Sequence, residues 1–408
     1  MIQILDKKDC CGCNACVQRC PKQCIKMQPD NEGFQYPLVD TTLCIDCKLC
    51  EKVCPIINDS TPQQPLKVYA AYNTDEEVRS QSSSGGIYTL LAVATIKEGG
   101  VVFGVKFNEE WIPEFGYTET MEGIAPFRGS KYIQAIVGNA YKQAEDFLKN
   151  GRKVLFCGTP CQVSGLNKFL RKEYDNLLTV DIICHGVPSP KVWNMYLREK
   201  CYRLMNVNDG SNSKSTGFDS TYYSKIETIN FRSKVAGWGK YRFFIKLTDL
   251  GENKKESVAI SEARNKNEYM RAFLSNIILR PSCYNCPAKQ GRSHSDITIA
   301  DFWGIDVIDP NFNDDKGCGA VLINTTKGAG VDIISQSIYK EKTFDEIIKY
   351  NPSYYKNSIP HRKREEFFNY LDKVDNLSNY ISDILTASLR ERIIKKIKIY
   401  AKSILKKR

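Results

Sequence analysis

The chain has 408 residues, a formal net charge of +11 and a hydrophobic content of 42%. This length allows two or three domains, and the apolar content is enough for a buried core, which excludes a generally disordered protein. No apolar run is long enough to cross a bilayer, and the N-terminus is too short and polar for a signal peptide, so we expect a cytoplasmic protein. Seventeen cysteines in a reducing compartment indicate metal ligation rather than a disulfide framework.

The positive charge is concentrated at the C-terminus. Residues 389–408 carry nine Lys or Arg and one Glu, a net charge of +8, which leaves +3 over the rest of the chain. The nearly neutral remainder excludes a body-wide nucleic-acid surface. Ser388 and Glu391 form a capping box, and the residues that follow are typical of a basic amphipathic helix. Such a helix can bind an anionic membrane surface at the inner face of the membrane, dock on the protein's own body or contact an acidic redox partner.

The first 58 residues hold ten of the seventeen cysteines, eight of them in two copies of one pattern. The pattern C-x2-C-x2-C-x3-C-P is that of bacterial two-cluster ferredoxins, in which the fourth cysteine of each run binds the cluster of the other run. We therefore predict a ferredoxin head (residues 1–58) with two 4Fe-4S clusters. The first set of ligands is Cys10, Cys13, Cys16 and Cys54, and the second set is Cys44, Cys47, Cys50 and Cys20.

Two other interpretations concern the same segment. A pair of zinc sites is the alternative to the clusters, although an eight-cysteine tandem of this form is rare for zinc. Cys11 and Cys24 are left over by the pattern, and we interpret both as small packing residues, the alternative being a spare ligand.

After a Pro- and Gln-containing linker, strand-like and helical segments alternate from Lys67 onward. This alternation predicts an α/β domain over residues 67–330 with a largely parallel sheet, followed by a helical C-terminal extension over residues 331–408. The whole chain is thus expected to combine α+β and α/β architecture. The predicted strands are Val68–Tyr72, Val101–Phe107, Lys153–Cys157 and Leu177–Ile183, with Ile226–Arg232 and Tyr241–Thr248 as an antiparallel pair.

A second group of cysteines falls within the α/β domain. Cys161 and Cys184 follow two successive predicted strands, and Cys283 and Cys286 form a C-x2-C pair. In open α/β sheets, ligands bind beyond the carboxyl ends of the strands. These four residues, the third set, could hold a third 4Fe-4S cluster, with Cys157 as the substitute for Cys161. The alternative is that they are ordinary buried free cysteines.

The segment from Lys67 to about Lys327 resembles the family of beta subunits of the coenzyme F-420 (F420) hydrogenases and dehydrogenases. The resemblance rests on short motifs in one order: Ser82-Ser-Ser-Gly-Gly, Arg128-Gly-Ser-Lys-Tyr, Gly158-Thr-Pro-Cys-Gln, Cys184-His-Gly, Gly237-Trp, Arg280-Pro-Ser-Cys-Tyr-Asn-Cys, Asp296-Ile-Thr-Ile-Ala-Asp-Phe-Trp-Gly and Leu322-Ile-Asn-Thr-Thr-Lys-Gly. It implies an α/β domain that binds FAD and its own iron–sulfur cluster. A plant relative reduces a chlorophyll precursor, so the resemblance leaves the use of F420 open.

Several residues in these motifs are candidate cofactor ligands. Ser83, Ser84, Gly85 and Gly86 open a helix and could approach a flavin phosphate, the alternative being an ordinary N-cap.

Arg128, Ser130 and Lys131 could hold a phosphate or carboxylate, or form a solvated basic turn. Asp301 and Trp303 could lie against the flavin ring, although an aromatic residue after a strand often belongs to the core.

His185 is the candidate catalytic residue, because it follows a predicted cluster ligand and could donate a proton to a substrate. The alternative role is a hydrogen bond that supports the cluster.

The sequence therefore predicts an iron–sulfur flavoprotein oxidoreductase. Electrons would come from ferredoxin or another low-potential donor and be exchanged, in a direction that stays open, with an organic substrate. The rival interpretation is a non-catalytic electron-transfer subunit of a larger redox complex. A substrate-sized cavity near the flavin residues would favour the enzyme, and a flat apolar patch would favour the rival.

Overall fold

A computed structural model describes residues 1–205, 220–248, 257–333 and 335–386. The predicted basic tail helix over residues 389–408 lies outside these described residues. Within them, no helix combines the length and the apolar character that a membrane span requires.

The ferredoxin head repeats one structural unit, as its sequence repeats one pattern. Each unit carries the third cysteine of its run on a short helix that follows a residue in the left-handed region, Asn14 in the first and Lys48 in the second. Two antiparallel strands connect the units. In chain order these elements are helix α1 (Ala15–Arg19), strands β1 (Ile25–Pro29) and β2 (Gln35–Val39), and helix α2 (Leu49–Lys52).

The remaining described chain, the body (residues 67–386), contains the elements of the α/β fold. Its strands are β3 (Lys67–Asn73), β4 (Val101–Phe107), β5 (Pro113–Thr118), β6 (Val154–Cys157), β7 (Leu177–Ile182), β8 (Ile226–Ser233), β9 (Arg242–Leu247), β10 (Val258–Ala263), β11 (Ile297–Asp301), β12 (Gly319–Ile323) and β13 (Ser337–Glu341). Its helices are α3 (Glu76–Gln81), α4 (Ile87–Lys97), α5 (Ala140–Lys149), α6 (Pro160–Leu170), α7 (Pro190–Met205), α8 (Glu268–Leu274), α9 (Ile305–Ile308), α10 (Thr326–Ala329), α11 (Phe344–Tyr350), α12 (Arg364–Tyr370) and α13 (Leu377–Leu385).

The large sheet has the order β13-β3-β12-β11-β7-β6-β4-β5 in the described chain. Strands β3, β11, β7, β6 and β4 run in one direction, which confirms the largely parallel sheet, while β13, β12 and β5 run in the other. A second, antiparallel sheet has the order β10-β9-β8. The carboxyl ends of β6, β7 and β11 meet at one edge, where ligands bind in such folds.

The strands that the sequence predicts best are those with continuous buried apolar residues. Strand β4 has the predicted bounds, and β6 and β7 differ from prediction by one residue at one end. Strands β10 and β13 were not predicted, because neither contains a buried residue to reveal it.

The predicted helical extension contains α11, α12 and α13, but it also contains β13. Phe367, Leu371 and Ile381 are fully buried in one core with residues of α7 and α8. The sheet and this core both continue past residue 330, at which the sequence predicts a boundary.

The head packs directly on the body through paired polar groups. Arg364 of α12 forms an ion pair with Glu32 in the β1–β2 turn, and its Nη1 donates to Glu32 Oε1 over 3.0 Å. Arg19 pairs with Glu145 over 3.3 Å, and the Gln18 side-chain oxygen accepts the Tyr141 backbone N–H over 3.0 Å. These contacts fix the position of the head against α5 and α12.

Replacing Arg364 with Ala should loosen the head, because it leaves the poorly exposed Glu32 carboxylate without its partner. We expect the free energy of unfolding to fall by roughly 2–3 kcal/mol. The measurements are thermal unfolding and protease cleavage in the 59–66 linker, which should become faster. Lys153→Ala is the control, since it removes a well-exposed ion pair with Glu98 and should have almost no effect. Equal behaviour of both variants would contradict this account.

Candidate redox centre

The structure brings the first set of cysteines together in a buried position. Burial raises the pKa of the Cys16 thiol most strongly, and the neighbouring thiols Cys10 and Cys54 raise it further. Burial and the neighbouring thiols Cys16 and Cys54 also raise the pKa of Cys13. The thiol of Cys54, from the second run, therefore lies beside the thiols of the first run, and the crossed ligand assignment stays a prediction.

The second set lies closer to the surface. Cys20, Cys44, Cys47 and Cys50 line one small cavity, and Cys47 is exposed. Cys24 lines the same cavity, with its sulfur 3.4 Å from that of Cys20. The ferredoxin pattern assigns Cys24 no role, which favours a packing residue, but Cys24 lies in direct contact with a predicted ligand.

The third set also converges. Burial raises the pKa of Cys184 to about 12, with further contributions from Cys161 and Cys286. Burial likewise raises the pKa of Cys286 to about 11, followed by the effect of Cys161. Cys283 accepts a hydrogen bond from the Val187 backbone N–H over 3.4 Å.

Cys157, the predicted substitute, lies apart from the third set. Burial raises its pKa to about 12, and the charge that acts on it is that of Asp181. The structure thus groups Cys161, rather than Cys157, with the other three thiols.

Cys11 joins the first set to the third. Cys11 and Cys161 line one small cavity, and the interaction with Cys11 is the first cause that raises the pKa of Cys161, ahead of burial. The pKa of Cys11 is raised first by its interaction with Cys13. On helix α6, a Cβ added to Gly165 would lie 3.1 Å from the Cys13 sulfur. The two thiol sets are therefore neighbours across the contact between head and body, which sequence spacing could not reveal.

Thiols are the donors that 4Fe-4S clusters take, and the twelve cysteines predicted as ligands supply such donors. Among the His, Cys, Asp and Glu side chains of the described ranges, no three have the arrangement that would hold a single metal ion.

A cavity of 550 Å³ lies beside the third set, at the carboxyl edge of the large sheet. Its volume is in the range of small-molecule and cofactor sites. The cavity brings together every residue that the sequence singles out for the flavin or for catalysis, and Cys184 as well. The predicted residues in its wall are Ser83, Ser84, Gly85, Gly86, Arg128, Ser130, Lys131, His185, Asp301 and Trp303.

The serine–glycine loop has structural reasons for its composition. Gly86 has a φ of +80° where α4 begins, a conformation that favours glycine. A Cβ on Gly85 would lie 2.4 Å from the Ala71 carbonyl oxygen. Ser83 accepts the Ser130 backbone N–H over 2.7 Å, and Ser84 donates to the Cys318 carbonyl over 2.8 Å. The loop is thus held tightly, with the helix N-terminus at the cavity wall, where an anion is favoured.

The basic loop adds positive charge to this wall. Arg128 donates to Thr89 over 3.2 Å and to Gln81 over 2.8 Å. The Lys131 Nζ donates to the carbonyls of Arg128 and Gly129, and burial lowers the pKa of Lys131 to about 7. In the described chain neither residue forms a salt bridge, so both are available to donate hydrogen bonds to an anionic ligand.

Asp301 and Trp303 belong to a polar and aromatic cluster in the cavity wall, which touches the serine–glycine loop because Arg232 donates to the Ser83 carbonyl over 3.3 Å. Arg232 binds the Asp301 carboxylate through both terminal nitrogens, over 2.7 and 3.0 Å. Trp238 donates to the same carboxylate over 3.1 Å and stacks on Trp303 with ring centroids 5.1 Å apart. The Asp301 carboxylate therefore holds the side chains of Arg232 and Trp238 in place. Arg232 could not be found from the sequence, because it carries no local signal beyond its place in a strand.

His185 lies between the third set and the cavity. Its Nε2 is 2.7 Å from the Asn276 side-chain oxygen, and burial lowers its pKa. Tyr88, also in the cavity wall, has a buried hydroxyl with no hydrogen-bond partner among the described residues. Both groups can exchange a proton with a bound molecule, and the sequence carries no motif that would single out Tyr88.

Comparisons with known proteins agree with this organisation. Residues 68–141 and 151–344 match the N-terminal and C-terminal parts of the family described as coenzyme F420 hydrogenase/dehydrogenase, beta subunit. Residues 9–56 match the 4Fe-4S dicluster domain. These matches support iron–sulfur clusters rather than zinc in the head.

Individual relatives match shorter parts of the chain. One subunit of the F(420)H(2) dehydrogenase of Methanosarcina mazei is 23% identical over 193 residues, which are 45% of this chain and 55% of that protein. The chain thus spans about half the length of this relative. A 7Fe ferredoxin of Hydrogenibacillus schlegelii is 37% identical over 65 residues, 15% of this chain and 76% of that protein. A chain of the F420-reducing [NiFe] hydrogenase complex from Methanosarcina barkeri aligns with a TM-score of 0.41 and 16% identity, over 81% of this chain and 96% of that one.

The crossed ligation of the head predicts that Cys16→Ala and Cys54→Ala damage the same cluster, although these residues belong to different runs. Paramagnetic resonance of the reduced, anaerobically prepared protein should lose the same signal in both variants and keep the other. Cys201→Ala, which changes a buried core cysteine of α7, should keep both signals. Loss of different signals in the two ligand variants would show that the assignment is wrong.

Proposed function

Because the chain belongs to the family of coenzyme F420 hydrogenase/dehydrogenase beta subunits, fused to a 4Fe-4S dicluster head, we propose that it is an iron–sulfur flavoprotein oxidoreductase. The proposal includes a third 4Fe-4S cluster, an FAD and an organic substrate. When bound, the clusters supply one-electron transfer and the flavin supplies the exchange between one-electron and hydride chemistry.

The observation that carries the proposal is the position of the cavity. One side of it is formed by Cys184 and His185, and another by the helix N-terminus at Gly86. A flavin whose phosphate lies at that helix end would thus share a cavity with a ligand of the third set. A flat apolar patch, which would favour a non-catalytic subunit, is not what lies at this edge of the described sheet.

The thiol sets form a path from the surface to this cavity. The second set includes the exposed Cys47, the first set is buried beside the body, and Cys11 links it to Cys161 of the third set. A soluble ferredoxin or a similar low-potential donor would bind at the exposed end. Electron flow in the opposite direction uses the same arrangement.

The residues of the cavity have distinct roles in this proposal. Gly85 and Gly86 let the backbone approach the cofactor, while Arg128 and Lys131 supply positive charge for its phosphates or for an anionic substrate. The Arg232–Asp301 pair holds Trp303 in the wall. His185 and Tyr88 are the candidate proton donors, and the protein excludes bulk water through the half-enclosed shape of the site.

The test uses the full chain, prepared without oxygen, and reduced ferredoxin as the electron donor. We expect bound flavin that bleaches rapidly, and we expect Cys184→Ala to keep the flavin, lose iron and bleach about 10-fold more slowly or worse. Stopped-flow absorbance measures the rate, and iron and flavin analysis measures the contents.

Cys201→Ala is again the control, and its bleaching rate should match that of the unaltered protein. A folded chain without flavin would overturn the flavoprotein assignment and favour the electron-transfer subunit. Unchanged bleaching in Cys184→Ala would show that electrons do not use the third set.

A further inference from the structure

Arg280 is a fully buried cation at the contact between the first and third thiol sets. Its Nε donates to the Cys10 carbonyl over 2.8 Å, and its two terminal nitrogens donate to the Gln134 side-chain oxygen and the Gln35 carbonyl, each over 2.9 Å. The guanidinium also lies 4.3 Å from the centre of the Tyr36 ring. The Arg280 side chain is thus hydrogen-bonded to the loop that carries Cys10, Gly12 and Cys13.

The backbone of the same residue belongs to the third set. The Arg280 carbonyl accepts the Cys283 N–H over 2.9 Å, and the Arg280 N–H donates to the Val187 carbonyl over 3.0 Å. Arg280 therefore begins the turn that presents Cys283 and Cys286. One residue is connected to both thiol sets, through its side chain on one side and its backbone on the other.

The charge of Arg280 lacks a protein counter-charge. All three acceptors of its guanidinium are neutral, and in the described chain no carboxylate forms a salt bridge with it. Burying a cation without an anionic partner is costly. By contrast, Arg364, which also joins head and body, is paired with the carboxylate of Glu32.

A negatively charged group beside Arg280 would remove this cost. A 4Fe-4S cluster with four cysteine thiolates carries net negative charge, and it gains another negative charge on reduction. We infer that Arg280 is the fixed counter-charge of the iron–sulfur centres at the head–body contact, and that it raises the reduction potential of the cluster held by the first set and, more weakly, of the cluster held by the third set. Arg280 is thus a positioning and tuning residue rather than a ligand.

The inference rests on the proposed function for the third set alone. The first set belongs to the 4Fe-4S dicluster head, so its cluster provides the test even if the chain lacks flavin or a third cluster. The second set provides an internal reference, because no described contact joins its cysteines to Arg280.

The experiment is a redox titration of the full chain, followed by paramagnetic resonance. In Arg280→Gln we expect the first-set cluster to be at least tenfold less reduced at a fixed potential, a shift of about 59 mV for a one-electron couple, with a smaller change in the second-set cluster. Arg280→Lys, which keeps the charge but loses the fork of hydrogen bonds, should shift the potential much less.

Gln134→Glu provides an independent variant if Arg280→Gln loses iron. It keeps the shape of the side chain but puts a carboxylate against the guanidinium, so it should also lower the first-set potential. Arg364→Gln is the control, and it should loosen the head without shifting this potential.

Three results would overturn the inference. One is an unchanged first-set potential in Gln134→Glu, and another is a shift in Arg280→Gln no larger than that of the second set. The third is an equal shift in Arg280→Gln and Arg280→Lys, which would mean that Arg280 acts through structure rather than charge.

Discussion

The arrangement of the head and the body depends on the hydrogen bonds of the buried Arg280 guanidinium. Arg280 fixes the first cysteine loop of the head to the turn that carries Cys283 and Cys286. Gly12 is part of this contact, because a Cβ there would lie 2.5 Å from the Gln134 amide nitrogen and 3.1 Å from the guanidinium carbon. The head is therefore an integral part of the redox centre rather than a module on a tether.

This contact determines how the thiol sets and the cavity relate. With the first set held against α6, Cys11 reaches Cys161, and the third set lies between the head and the cavity. The cavity wall contains the cationic Arg128 and the Arg232–Asp301 ion pair, and Arg232 also donates to the Ser83 carbonyl. The proposed electron relay and the proposed cofactor site would thereby form one continuous arrangement, which is why we favour an enzyme over a passive subunit.

Sequence alone could predict features that depend on local spacing and some of the buried strands, although it missed β12, which is buried throughout. The head cysteines follow from their spacing, and strand β4 follows from its apolar residues. The roles of Arg280, Arg232 and Cys11 could not be predicted, because each depends on a partner far away in the chain. Exposed strands such as β13 were missed for a different reason, since their side chains carry no burial pattern.

An anaerobic reductive titration of the full chain tests the central claim most directly. Three 4Fe-4S clusters that accept one electron each and a flavin that accepts two would take up about five electrons per chain. Optical spectra and paramagnetic resonance during the titration would assign these electrons to the flavin and the clusters. Uptake of about two electrons, with signals from the head clusters alone, would contradict the account.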